Sequence, residues 1–298
     1  MLIHLLKTMR PRQWTKNLMV FIPFAFTLRE YWRPFSPEMW ALLGKATVGF
    51  ILFCILSGVI YLINDLVDIE KDRLHPQKRF RPLASGALSK SVAVVAIIVW
   101  LLIALPASFA LEGWFGVIAL IYFVLMLAYS YVLKHIVILD VFTLAAGLVL
   151  RALGGAAAIH VPASPWLYVC TALLALFIGF AKRRHELVLL ENNATNHRFI
   201  LKEYTPQVLD QMISVTTASF VMAYSLYTFS AKNLPPNNAM MLTIPFALFV
   251  VFRLLYLVHI KGEGGSPEEM LWRDRWLLGA VFLWGLCIVT ILYVFGRG

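Results

Sequence analysis

From residue 64 the chain reads Asn64-Asp65-Leu66-Val67-Asp68-Ile69-Glu70-Lys71-Asp72. On a continuing helix, Asn64, Asp68 and Asp72 stand four apart on one face, and Asp65, three before Asp68, joins them. Like charges at this spacing repel and destabilise a bare helix, a cost that a hard divalent cation removes. Mg²⁺ takes oxygen ligands, keeps several waters, and is typically shared between one or two carboxylates and substrate phosphates. Asp65, Asp68 and Asp72 are therefore the candidate metal ligands and catalytic carboxylates, with Asn64 placed to orient a ligand or donate to a phosphate oxygen. A plainer reading is a solvated helix end whose acids pair with Lys71, Arg73 and Arg79. The next residues favour chemistry: His75, Lys78, Arg79 and Arg81, then Pro82-Leu83-Ala84-Ser85-Gly86. Phosphates select Arg and Lys, and small residues at a turn let backbone N–H groups approach an anion. Acids followed by this basic cluster read as a Mg²⁺-dependent diphosphate site. Lys78, Arg79 and Arg81 would meet the phosphates, and Lys16 would reach the same face from the N-terminal segment.

The elements that must position these residues are membrane helices. The chain is 60% hydrophobic and only 14% charged, against about 25% charged for a soluble domain. Near-continuous apolar runs such as 91–111 and 276–295 are long enough to cross about 30 Å of hydrocarbon. Spans are expected near 14–28, 42–64, 91–111, 114–133, 138–159, 166–183, 208–230, 240–260 and 275–295. This is an all-α, polytopic bundle of about nine transmembrane helices, forming one catalytic domain over 1–298. The first span is the shortest and contains Pro23.

The net charge of +10 is explained by loop bias rather than by nucleic acid. Nineteen Lys and Arg fall in the N-terminal segment and the loops after helices 2, 4, 6 and 8, and five fall on the other side. By the positive-inside rule the N-terminus is cytoplasmic and the C-terminus outside. Thirteen of the sixteen acids lie on the same cytoplasmic side, which that rule does not require.

The remaining features divide between polar and bland. Arg151 falls inside a span, where an ionised group must face the bundle interior or water. Asp140, eleven residues earlier, shares its face but is about 16 Å away by helix rise. The two are expected to line one polar cavity, the alternative for Arg151 being an interhelical ion pair. Cys54, Cys170 and Cys287 sit in apolar runs without pairing or zinc spacing and read as inert thiols. Trp14, Trp32, Trp40, Trp272 and Trp276 read as an interfacial belt, and Gly147, Gly154 and Gly155 as close-packing positions. The basic N-terminus lacks a small-residue cleavage site and does not read as a cleaved signal peptide. The pattern Asn193-Ala194-Thr195 would be a glycosylation acceptor, but this topology puts it in the cytoplasm. The stretch 262–267 reads as a flexible loop able to close over the site.

Asn64-Asp65-x-x-Asp68-x-x-x-Asp72 at the end of the second helix resembles the first aspartate motif of the UbiA-type intramembrane prenyltransferases. Most of that superfamily carries a second aspartate motif after the sixth helix, but here the corresponding stretch is Lys182-Arg183-Arg184-His185-Glu186-Leu187. One acid among three cations does not make a second carboxylate metal site. The departure resembles one branch, the decaprenyl-phosphate phosphoribosyltransferases. So do Pro11-Arg12-Gln13-Trp14-Thr15-Lys16-Asn17, Tyr129 through Lys134 with Asp140, Gly147 through Arg151 to Gly155, and Pro267-Glu268 with Asp274-Arg275.

That resemblance implies transfer of 5-phosphoribose from phosphoribosyl diphosphate (PRPP) to a polyprenyl phosphate, with release of diphosphate. It implies Mg²⁺ on Asp65, Asp68 and Asp72, a bacterial inner-membrane location and a homotrimer. The matching positions Asn17, Tyr129, Asp140, Arg151 and Glu186 become substrate-contact candidates, and Lys134, Lys182 and Arg183 candidates for holding the acceptor phosphate. Two rivals stand beside this reading. An aromatic polyprenyltransferase of the same superfamily predicts a second carboxylate cluster. A transporter predicts charges at the midplane and broken helices.

Overall fold

The computed structural model describes residues 2–162, 164–191, 201, 203–231, 234–265 and 267–296, without the side chains of 190, 191 and 267–269. The predicted Asn193-x-Thr195 pattern, and Arg198, Lys202, Lys232 and Arg297 of the charge count, lie outside the described residues.

After a short helix α1 (Leu2–Thr8) and a 3-10 segment (Pro11–Phe21) come α2 (Ile22–Phe26), α3 (Pro37–Val67) and α4 (Ile69–Leu74). Then follow α5 (Lys90–Leu111), α6 (Gly113–Tyr131), α7 (Leu139–Ala158), α8 (Pro165–Glu191) and α9 (Pro206–Ser230). The chain ends with α10 (Ile244–His259), preceded by a 3-10 turn (Ala239–Thr243), α11 (Pro267–Arg273) and α12 (Arg275–Phe295). Among the described residues eight helices are long and apolar enough to cross a membrane, and the chain is an integral membrane protein. Side-chain caps mark several starts: Ser36, Ser89, Glu112, Thr205 and Asp274 each accept a backbone N–H of the following turn.

The ninth crossing is the expected first span, and its form differs from the expected helix. Eleven residues run as 3-10 helix and five as α-helix. At about 2.0 Å and 1.5 Å of rise per residue they cover roughly 30 Å, a full hydrocarbon thickness. Its two ends reach opposite ends of the bundle. Arg10, just before it, bonds Asp65 at one end of α3, and Arg29, just after it, donates to the Tyr293 carbonyl at the last turn of α12.

This thin segment lies in a groove between α3 and α7 that glycine makes possible. A Cβ on Gly155 would lie 2.1 Å from the Val20 carbonyl oxygen, and one on Gly154 would lie 2.6 Å from the Phe53 ring. Phe53, Phe115 and Tyr122 then pack edge to face behind the groove. A second apolar core joins α7 to α8, α9, α10 and α12 through Val141, Phe177, Leu209, Leu257 and Leu277. The outer surface is apolar, with Trp40, Trp114, Trp272 and Trp276 all exposed, as a lipid-facing surface requires.

Because the Gly155 contact is backbone against backbone, no side-chain shift relieves it. Gly155→Val is expected to lower stability by about 1–3 kcal/mol through overpacking, read as a drop in thermal midpoint in detergent. Gly279, where an added Cβ meets nothing within 4 Å, supplies the neutral control as Gly279→Ala.

Candidate active site

The expected acidic face exists but is split. α3 stops at Val67, and Asp68 caps both its end and the start of α4. The break relieves the repulsion that a continuous helix would impose and sends the aspartates to different partners. Asp65 and Asp72 are both 3% exposed. Arg81 Nη1 lies 3.2 Å from Asp65 Oδ1 and 2.6 Å from Asp72 Oδ2, so one cationic nitrogen sits between two carboxylates. Arg10 Nη2 approaches the same Asp65 oxygen at 2.6 Å, with its guanidinium 4.6 Å above the Tyr61 ring. Asp68 turns away to Lys134, 3.5 Å distant. Asn64 is partly buried, and its carbonyl accepts the Asp68 N–H.

The plainer pairing with Lys71, Arg73 and Arg79 does not occur at these aspartates. Arg73 bonds Glu70 and the Ala84 carbonyl, and the Arg79 guanidinium lies over its neighbour Phe80 on the surface. His75 Nδ1 accepts the N–H groups of Gln77 and Lys78, which closes the turn before Arg81. Burial and the nearby Lys78 ammonium hold that imidazole below its ordinary range, consistent with a neutral ring acting as acceptor. Lys16 and Lys78 are partly buried on the same end of the bundle.

The residues expected on the acceptor phosphate form a second knot. Arg183 is 2% exposed and donates to Asp140 Oδ2 at 2.6 Å and Glu186 Oε2 at 2.5 Å. Its guanidinium is enclosed and committed, so it positions α7 against α8 instead of offering an edge to a phosphate. Tyr204 completes the knot, donating to Asp140 Oδ1 at 3.2 Å and accepting the Ile138 N–H at 2.7 Å. Burial, reinforced by the Asp140 carboxylate, pushes the Tyr204 hydroxyl up to about 12, so it remains a donor. Ile138 has φ +70°, a strained conformation for a β-branched residue, and Tyr204 pins it where α7 begins. Tyr129 and Lys182 flank this knot, both partly buried.

Arg151 corrects the ion-pair expectation. In place of an interhelical ion pair, neutral groups hold its guanidinium. It donates to Asn17 Oδ1 at 2.6 Å, the Gly147 carbonyl at 2.7 Å and the Tyr122 hydroxyl at 2.7 Å. Asn17, 0% exposed, spends its amide on Cys54 Sγ and Ser57 Oγ, so it anchors the first crossing and has no surface to offer a substrate. Cys54 is buried, whereas Cys170 and Cys287 are only partly so. The loop before α11 is already docked, with the His185 imidazole on the Gly262 carbonyl. Asp274 caps α12 and pairs with Arg253, whose hydrogen bonds hold its carboxyl below the ordinary range.

Sequence reasoning missed Arg10, Tyr61, Tyr122 and Tyr204. Arg10 was visible as part of a basic N-terminus, but nothing in one dimension ties residue 10 to residue 65.

A cation already stands between Asp65 and Asp72, and the donors are hard oxygens, so the pair fits Mg²⁺. Among the described residues no three His, Cys, Asp or Glu side chains converge as a metal cage. The fit is to an ion that completes its shell with water and substrate phosphate. A cavity of about 830 Å³ lies elsewhere, toward the opposite end of the bundle. It is lined by apolar residues such as Met19, Phe26, Leu174, Ile178, Trp284 and Ile288. Its wall includes Leu148, next to the Gly147 carbonyl that holds Arg151.

A family model described as UbiA prenyltransferase family matches residues 18–186. The chain is 32% identical to a decaprenyl-phosphate phosphoribosyltransferase from Mycolicibacterium smegmatis, over 97% of this chain and 92% of that one. It is 30% identical to one from Corynebacterium glutamicum, over 97% and 87%. The fold is similar to that of a UbiA homolog from Archaeoglobus fulgidus bound to GPP and Mg²⁺, with TM-score 0.72, 18% identity, and 97% and 100% of the two chains covered.

The enclosed Arg183 gives a stability prediction. Arg183→Met strands two carboxylates and is expected to cost about 3–5 kcal/mol, measured as reduced thermal stability in detergent. Arg79→Met, at an exposed guanidinium, is expected to change stability by less than about 0.5 kcal/mol.

Proposed function

The chain belongs to the UbiA prenyltransferase family, and from that premise we propose that it transfers 5-phosphoribose from PRPP to a polyprenyl phosphate, releasing diphosphate. The observation that carries this reading is the replacement in the last turns of the sixth crossing, α8. Where a second carboxylate metal site would stand, Arg183 ties Asp140 to Glu186. Among the described residues that leaves one aspartate pair fit for metal, at Asp65 and Asp72, and a basic surround suited to two phosphorylated substrates. The names of the two relatives support the same acceptor class. The aromatic prenyltransfer rival loses its second acidic cluster. The transporter rival is weakened because the acids gather at one end of the bundle.

Asp65 and Asp72, with Asp68 in support, would hold Mg²⁺, which when bound neutralises charge on the diphosphate leaving group. Arg81 and Lys78 meet the phosphates of PRPP. Lys134 and Lys182 face the acceptor phosphate, and Lys134 is the nearer to the aspartates through Asp68. An oxygen of the polyprenyl phosphate attacks C1 of the ribose, the C1–O bond to diphosphate breaks, and in-line displacement inverts that carbon. The acceptor is already anionic and needs no strong base, so the chain's contribution is positioning and electrostatics. The isoprenoid tail descends into the apolar cavity between the first crossing, α8 and α12. The site faces the cytoplasm of a bacterial inner membrane, with residues 1–298 acting as one catalytic unit, and a homotrimer is the assembly that family likeness suggests.

The deciding experiment incubates the purified protein in detergent with Mg²⁺, radiolabelled PRPP and a polyprenyl phosphate. Label is expected in the lipid phase, abolished by EDTA. Asp65→Asn is expected to reduce transfer by about 100-fold or more, as loss of a charge-stabilising group in a shielded site does. If label stays in the aqueous phase while a prenyl diphosphate alkylates an aromatic acceptor, the phosphoribosyl reading is wrong.

A further inference from the structure

Asp65 and Asp72 lie beneath two arginines. The carboxylates are 3% exposed, while the side chains of Arg10 and Arg81 are 32% and 28% exposed. The guanidiniums therefore roof the carboxylates on the side from which solutes arrive. Two negative charges face two positive ones, so the described group is neutral as it stands. Buried carboxylates need such compensation at all times, because an unpaired buried charge is strongly unfavourable. Yet the oxygens that fit a metal are the ones the guanidiniums hold.

We propose that Arg10 is a further diphosphate-binding residue, parked on Asp65 until a divalent cation displaces it. This deepens the diphosphate-site reading and rests on it. A cation that takes the Asp65 oxygen pushes off a guanidinium whose backbone is anchored at the start of the first crossing. The displaced group stays within reach, and the one anion arriving with the cation is the diphosphate. A guanidinium offers a planar fork of N–H donors that suits phosphate oxygens. The Tyr61 ring, 4.6 Å below, gives it a platform during the exchange. With the carboxylates neutralised by the cation, Arg10 and Arg81 present two unbalanced positive charges to the phosphates. Metal and diphosphate thus favour each other's binding, and either alone binds more weakly than the two together.

Arg10 differs from Arg81 in what it holds. Arg81 bridges Asp65 and Asp72, whereas Arg10 bonds Asp65 alone. Removing Arg10 leaves the bridge in place, so its variants report on the exchange with the α3–α4 corner still tied.

The test uses the full chain in detergent with Mn²⁺ as the metal probe, free ion being read by electron paramagnetic resonance, and inorganic diphosphate binding read by calorimetry. Arg10→Gln is expected to bind Mn²⁺ alone several-fold more tightly, because a competing cation is gone. The same variant is expected to bind diphosphate in the presence of Mn²⁺ about 10–100-fold more weakly, the value of lost hydrogen bonds to a charged group. Arg10→Lys keeps the unaltered Mn²⁺ affinity and recovers only part of the diphosphate affinity, since an ammonium lacks the fork. The opposite signs are diagnostic. A merely structural arginine would weaken both ligands together, and that result, or unchanged diphosphate affinity in Arg10→Gln, overturns the proposal. If opposite shifts appear in a protein that transfers no phosphoribose, Arg10 keeps its role and the transfer reading alone falls. If the unaltered protein binds no diphosphate with Mn²⁺, the diphosphate site and the proposal fall together.

Discussion

A charge inside a membrane bundle has almost no water to lean on, so each must find its compensation in another part of the chain. Here the described buried charges resolve into three knots. Asp65 and Asp72 are held by Arg10 and Arg81, Asp140 by Arg183 and Tyr204, and Arg151 by Asn17, Gly147 and Tyr122. Each knot joins segments far apart in sequence. The helices at the charged end are therefore placed by a few polar contacts with strong directional demands, while the apolar contacts around them are tolerant of small shifts.

The first crossing shows how those demands propagate. Its 3-10 winding makes it narrow and long for its residue count. Gly155 admits it against α7, Asn17 receives Arg151 within the bundle, and Arg10 arrives over Asp65 at its charged end. A fatter or shorter element would miss one of these three contacts. The same segment walls the apolar cavity through Met19, Ile22, Pro23 and Phe26. A lipid phosphate needs a charged seat at the membrane face and an apolar channel below it, and one element borders both.

The second knot is closed on itself, with Arg183 a fixed guanidinium enclosed by two carboxylates, Asp140 and Glu186. Such a group cannot be recruited or released with substrate. It sets the spacing of α7 and α8 and holds the strained entry to α7 through Tyr204 and Ile138.

Much of this was legible in one dimension. Apolar run lengths fixed most crossings to within a few residues, because hydrocarbon thickness leaves little choice, while α3 begins five residues earlier and α8 runs eight residues further than expected, where polar residues continue the helix. The density of acids from Asp65 to Asp72 marked a place that demands counter-charge, because like charges at helical spacing repel, and Arg81 supplies part of it while Arg79 lies on the surface over Phe80. Which counter-charge each acid receives was not legible. Arg10 with Asp65, Asp140 with Arg183 and Asn17 with Arg151 are 55, 43 and 134 residues apart. Periodicity carries no information at such separations, and the break at Asp68 that divides the acidic face arises from those distant partners. The sequence by itself determined that charge must be neutralised at this end of a membrane bundle. Only the tertiary structure decided by whom, since a buried ion pair is settled by where packed helices bring their side chains and not by the order in which the residues are written.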